Sequence, residues 1–169
     1  MNAQVSRWLD DAQDIKRKSR LDQGSYHDAV ILALIEIESA GDENARRPKS
    51  QFCGLLQMGS LAGEDAGFKQ RGRDTTASLI GDGRAAISSF LIYQERYAAR
   101  HMYHPNRIAL LWKAGPGTLS KINALSRDGW EFAGAVKNGA AGIPNTEEYL
   151  RRFRGARERW AAWLGKGCC

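Results

Sequence analysis

The run Ala29 to Ile37, AVILALIEI, constrains the fold of this chain more than any other stretch. At about 100° per residue, apolar side chains point to every side of it. A helix with that pattern has no face to give to solvent and must lie in the middle of a domain. Nine residues are too few to cross a bilayer, and no other stretch comes close, so a membrane-spanning chain is excluded. Ser25 and Asp28 stand at capping-box spacing just before the run, with Asp in place of the more usual Glu or Gln. Gly41 is the natural stop.

A buried helix needs other elements around it, and the chain supplies them. With 169 residues, 43% hydrophobic and 26% charged, it has the size and composition of one ordinary domain with its own core. Val5, Trp8, Leu9, Ala12 and Ile15 recur at helical spacing, which predicts an N-terminal amphipathic helix within residues 1–24 that packs on the domain. The main domain is expected over residues 25–165, with 166–169 as a tail. Residues 42–83 are rich in glycine and polar side chains and read as loops with short helices and at most a small β-hairpin.

A helix is predicted from Arg84 to Arg100, with Ile87, Phe90, Leu91 and Tyr97 inward. Pro105 opens another, closed by the turn Gly115-Pro116-Gly117. Shorter helices are expected around 119–125 and 130–137. Thr146 is placed as the cap of the last helix, along which Tyr149, Phe153, Ala156, Trp160 and Trp163 form an apolar stripe. Arg151, Arg152, Arg154, Arg157 and Arg159 cover its other side as a solvated face. With no internal repeat and no long alternating run, the fold class is mainly α.

Glu36 and Glu38 interrupt the most hydrophobic helix. Two positions apart they point about 200° from each other, so they cannot serve one site. On a helix that is apolar all round, one reading leaves at least one of them poorly solvated. Desolvation and a place in the last helical turn both favour the protonated carboxyl, the form a general acid needs. Both glutamates lying wet, where the helix breaks the surface, is the other reading of the same residues.

The next stretch bears on that choice. IEIESAGDENARRPKSQFCGLLQMG combines Glu38-Ser39 at the end of an apolar helix, then Asn44-Ala45, then Gly54-Leu55-Leu56-Gln57-Met58. It resembles the central motif of the soluble lytic transglycosylase and goose-type lysozyme branch of the lysozyme superfamily. Ala109 to Gly117, ALLWKAGPG, is similar to that family's Ala-x-x-Tyr-Asn-Ala-Gly-x-Gly segment. Ile143 to Phe153, IPNTEEYLRRF, is similar to its Pro…Glu-Thr-x-x-Tyr-Val segment. The resemblance spans residues 26 to 155.

It implies a lysozyme-like fold and a peptidoglycan-cleaving enzyme, a lytic transglycosylase forming 1,6-anhydro-N-acetylmuramic acid or a hydrolytic lysozyme on the same bond. Glu38 is then the single catalytic acid/base, with Ser39 a neighbour that orients it. Gln57 and the backbone around Met58 form a sugar-binding edge, Trp112 stacks on a sugar or fills the core, and Tyr149 is a cleft-wall hydroxyl near the glutamate or an ordinary core tyrosine. Trp112-Lys113 replaces the family's Tyr-Asn, Asn145 stands where Glu precedes Thr146, and Leu150 replaces Val. These departures bear on substrate grip and packing. Asp42, Glu43, Glu64, Asp65, Asp74 and Asp82 are the remaining carboxylates that a two-carboxylate glycosidase would need to draw on.

No metal or organic cofactor is implied: His27, His101 and His104 lack zinc-ligand spacing to paired cysteines. Cys53 reads as a packing residue, and Cys168 and Cys169 as incidental thiols. With 25 basic and 19 acidic residues the net charge is +6, which favours an anionic partner such as wall, nucleic acid or lipid. The expected partner is the peptidoglycan glycan strand, met by a monomer. MNAQVSRWLDDAQDIKRKSR carries charges throughout and has no secretory pattern. The expectation is synthesis in a cytoplasm and action on the wall, in the manner of a bacteriophage endolysin or virion enzyme. Two other classes stay open: a catalytically inactive wall-binding or virion structural protein, and a basic helical nucleic-acid-binding protein.

Overall fold

In the computed structural model the AVILALIEI run forms a helix whose residues Ala29 through Ile35, with Ile37, are all buried. Residues 2–18, 28–46, 50, 52–66, 81–98, 104–125 and 146–166 are described. Among them the helices are α1 (Ala3–Ser6), α2 (Leu9–Lys18), α3 (Asp28–Ser39), α4 (Ser60–Asp65), α5 (Gly83–Ala98), α6 (Pro105–Leu125) and α7 (Thr146–Lys166). The fold is mainly helical. The described residues hold no strand, only two isolated antiparallel bridges, Arg46 with Cys53 and Cys53 with Met58. None of these helices is long and apolar enough to cross a membrane.

α3 is enclosed by α7, α2 and α1, while α5 packs on α2 and α6, α6 on α7, and α4 on α5. Burying one Val, Leu or Ile contributes roughly 1.5–3 kcal/mol, against about 0.7 kcal/mol at most for helix-propensity differences among ordinary residues. Packing therefore holds α3 in place. On α7, Tyr149, Phe153, Ala156 and Trp160 are buried as the stripe predicts. Trp163 is 37% exposed and meets Trp160 edge-on, with ring centroids 5.4 Å apart.

The single N-terminal helix expected from periodicity is two, broken at Arg7–Trp8. The break serves Trp8, whose indole Nε1 donates to the Gly41 carbonyl at 3.0 Å while its ring covers Gly83. A Cβ on Gly83 would lie 2.2 Å from that ring, so only glycine fits there. Asn2 caps α1 by accepting from the Gln4 amide at 3.0 Å, and its own amide donates to the Ala40 carbonyl at 3.3 Å. Lys16 and Gln13 of α2 both reach the Asp28 carboxylate, at 2.6 and 2.8 Å, at the first turn of α3. Arg84 of α5 bonds Asp11 at 2.6 Å and also Asp14.

Gly115, at φ 76° and ψ 170°, kinks α6 where the Gly-Pro-Gly turn was expected, and helical backbone resumes to Leu125. Thr146 is the first residue of α7 and buried. Ser25, His27, Asp74, His101, the expected helix at 130–137, Asn145, Cys168 and Cys169 lie outside the described residues.

Candidate active site

Glu38 sits in the last turn of α3, half-buried. Tyr149, buried near the start of α7, donates its hydroxyl to Glu38 Oε1 at 2.7 Å. That bond spans 111 residues and joins the two segments singled out in the sequence. When the carboxyl is ionised this is a charge-assisted bond, about twice as strong as a neutral one. Above the tyrosine, the exposed Lys113 of α6 places Nζ 5.4 Å from the ring centroid, within range of a cation–π contact. Arg152 of α7 donates to the Ile37 carbonyl at 3.3 Å, which brings positive charge to the carbonyl end of α3.

Glu36 faces the other way, as its spacing from Glu38 requires. Its Oε1 accepts from Arg159 at 2.5 Å and its Oε2 from the Trp160 indole at 2.6 Å. The two glutamates thus meet different parts of α7. Of the arginines read as a solvated face, Arg159 and Arg152 hold the end of α3. No local pattern marks these two, and the signal that could have found them is Glu36 itself. A carboxylate on an all-apolar helix needs a partner.

The Gly54-Leu55-Leu56-Gln57-Met58 segment folds as a tight turn closed by Cys53 and Met58. The Met58 amide donates to the Cys53 carbonyl at 3.0 Å, and the Cys53 amide returns to Met58 at 3.4 Å. Gly54, at φ 77°, and Gln57, at φ 49°, bend the backbone so that Leu55, Leu56 and Met58 enter the core. The Gly54 amide donates to the Ala45 carbonyl at 2.8 Å, tying the turn to the loop that follows α3. Trp112 of α6 ties the other side: its indole donates to the Leu56 carbonyl at 3.0 Å, and its ring meets Phe90 and Tyr93 at 5.0 and 5.6 Å.

Three residues given roles by the resemblance are engaged within the chain itself. Gln57 is 7% exposed, and its side-chain amide nitrogen donates to the Ala45 and Gly54 carbonyls at 3.1 and 3.0 Å. The left-handed backbone at Gln57 turns it inward, where its amide nitrogen staples the loop. The Met58 amide is bonded to Cys53, so it presents no donor. Ser39 does not orient Glu38: its hydroxyl donates to the Ile35 carbonyl at 3.3 Å and accepts from the Gly41 amide at 3.2 Å, finishing the helix. Tyr149 touches the glutamate in its place. Trp112 is half-buried and serves the turn and the aromatic cluster.

Most of the other carboxylates have local structural partners. Asp42 accepts from the Asn44 amide at 2.9 Å. Glu43 accepts from the Gly83 amide at 3.0 Å and meets Arg7 at 3.5 Å. Asp82 caps α5 through the Ala85 amide at 2.8 Å, and Asp65 accepts from the Tyr97 hydroxyl at 2.9 Å. Glu64 is exposed on α4. Among the described residues, no group of three or more His, Cys, Asp or Glu could hold a metal ion. The chain matches no protein-family model, and no curated protein matches it.

Proposed function

We propose that the chain is a lysozyme-like peptidoglycan-cleaving enzyme, acting as a lytic transglycosylase with Glu38 as its single acid/base. The observation that carries this reading is the 2.7 Å bond from Tyr149 to Glu38, which brings a half-buried carboxyl and a buried phenol together from distant parts of the chain. The local engagement of Asp42, Glu43, Asp65 and Asp82 favours a route that needs one carboxyl only.

In that route protonated Glu38 gives its proton to the oxygen between N-acetylmuramic acid and N-acetylglucosamine. The bond from that oxygen to the muramoyl C1 breaks, and the neighbouring acetamido group stabilises the cation, a substrate-assisted path. Glu38, now a carboxylate, takes the proton of the sugar's own 6-hydroxyl, whose oxygen bonds to C1. The product is the 1,6-anhydro sugar, and the acid is restored. Tyr149 donates to the carboxylate and fixes which oxygen faces the glycan. Water in place of the 6-hydroxyl gives ordinary hydrolysis from the same residues.

The test is clearing of a bacterial cell-wall suspension by the purified protein and by Glu38→Gln. General acid–base groups contribute about 10²–10⁴ in rate, so the variant should lose at least roughly a hundredfold while melting as the parent does. Full clearing by the variant refutes the assignment. Salt-sensitive DNA binding with no clearing would place the chain among basic nucleic-acid binders. Tight wall binding without release of fragments would make it an inactive relative.

A further inference from the structure

We propose that Lys113 is a positioning residue that acts on Glu38 through Tyr149, which deepens the reading of Glu38 as acid/base and rests on it. Three helices form a relay. The ammonium of Lys113 on α6 stands 5.4 Å from the Tyr149 ring centroid, and the Tyr149 hydroxyl on α7 lies 2.7 Å from Glu38 Oε1 on α3. A cation over an aromatic face draws electron density from the ring. In a phenol that makes the hydroxyl a stronger donor, and a stronger donor favours the charged form of the carboxyl that accepts from it. The same contact restrains the ring, and with it the direction of the hydroxyl.

Other charges at the end of α3 are fixed by partners of their own. From α7, Arg152 is bonded to the Ile37 carbonyl, Glu148 to Arg151 at 2.6 and 2.8 Å, and Arg159 to Glu36. From α6 comes Lys113. Lys113 is exposed, so replacing it removes a charge without opening the core. Its ammonium addresses the ring, and the ring addresses the acid. Removing the Tyr149 hydroxyl separates a relay from a plain through-space field.

The experiment follows the Glu38 carboxyl by carbon-13 NMR as pH is varied in the full chain. Lys113→Met should raise its titration midpoint by up to roughly half a pH unit, the ceiling set if all of an exposed cation–π contact depended on the carboxyl's charge, and Lys113→Arg should restore it. In a Tyr149→Phe background the effect of Lys113→Met should fall to less than half of that. The alkaline limb of the wall-clearing profile should move in step with the midpoint. No shift, or an equal shift in both backgrounds, overturns the proposal; a limb that stays put while the midpoint moves counts against Glu38 as the acid/base instead. If Glu38→Gln clears walls normally, the acid/base reading fails, and the titration still decides the relay by itself.

Discussion

Glu36 and Glu38 are two residues apart on one helix and should fail in different ways when replaced. Glu36→Ala removes the acceptor of the Trp160 indole, a side chain with no exposed surface in the parent, and also an ion pair with Arg159. A buried donor left without a partner costs about 1–3 kcal/mol, and a partly exposed ion pair about 0–1 kcal/mol. The loss should be about 1–4 kcal/mol, or roughly 2–16 °C in melting temperature for a domain of this size. Glu36→Gln keeps an oxygen for the indole and gives up only the ion pair, so it should cost about 1 kcal/mol or less. Urea unfolding followed by tryptophan fluorescence measures both. Neither variant should lose specific wall-clearing activity at temperatures where it is folded, whereas Glu38→Gln should lose activity and keep its stability. Equal losses for Glu36→Ala and Glu36→Gln would refute the claim that the indole acceptor is what matters.

Gly41→Ala should destabilise by about 2 kcal/mol or more, read as a lower melting temperature. Gly41 sits at φ 91° and the added Cβ would lie 2.6 Å from the Gln4 carbonyl oxygen, a backbone atom that cannot swing aside. A change under about 0.5 kcal/mol would mean α1 does not press on the end of α3 in solution. Asp14 gives the pH dependence: hydrogen bonds from Lys18 and then Arg84 lower its pKa from 3.8 to about 2. A depressed carboxyl adds stability above its unfolded value and loses it as pH falls through the folded one, so this contribution is present above pH 3.8 and fades toward pH 2. Arg84→Gln should flatten that acid limb in a melting-temperature series, and an unchanged limb would contradict the assignment.

The parts of the fold that were legible in the sequence are those where periodicity reports burial directly. AVILALIEI could only be a central helix, and the stripe through Tyr149, Phe153, Ala156 and Trp160 is the buried side of α7. Ile87, Phe90 and Leu91 turn inward on α5 for the same reason. What periodicity does not carry is the direction of a single polar side chain. Gln57 turns inward because its own backbone is left-handed, and Ser39 bonds backward because a helix end leaves carbonyls to satisfy. The break at Arg7–Trp8 depends on Gly41 and Gly83, neither of them near Trp8 in sequence. The partners of Glu36 lie more than a hundred residues away, beyond any local pattern. Of the candidate site, Glu38 and Tyr149 come together, while Gln57, Met58 and Ser39 make their hydrogen bonds within the scaffold beside them.

The most direct measurement is mass spectrometry of the fragments released from purified cell-wall sacculi by the parent and by Glu38→Gln at equal folded concentration. The account predicts muropeptides ending in 1,6-anhydro-N-acetylmuramic acid from the parent and essentially none from the variant. Equal release from both would contradict it at its centre, and fragments bearing only reducing ends would turn the transglycosylase into a hydrolase.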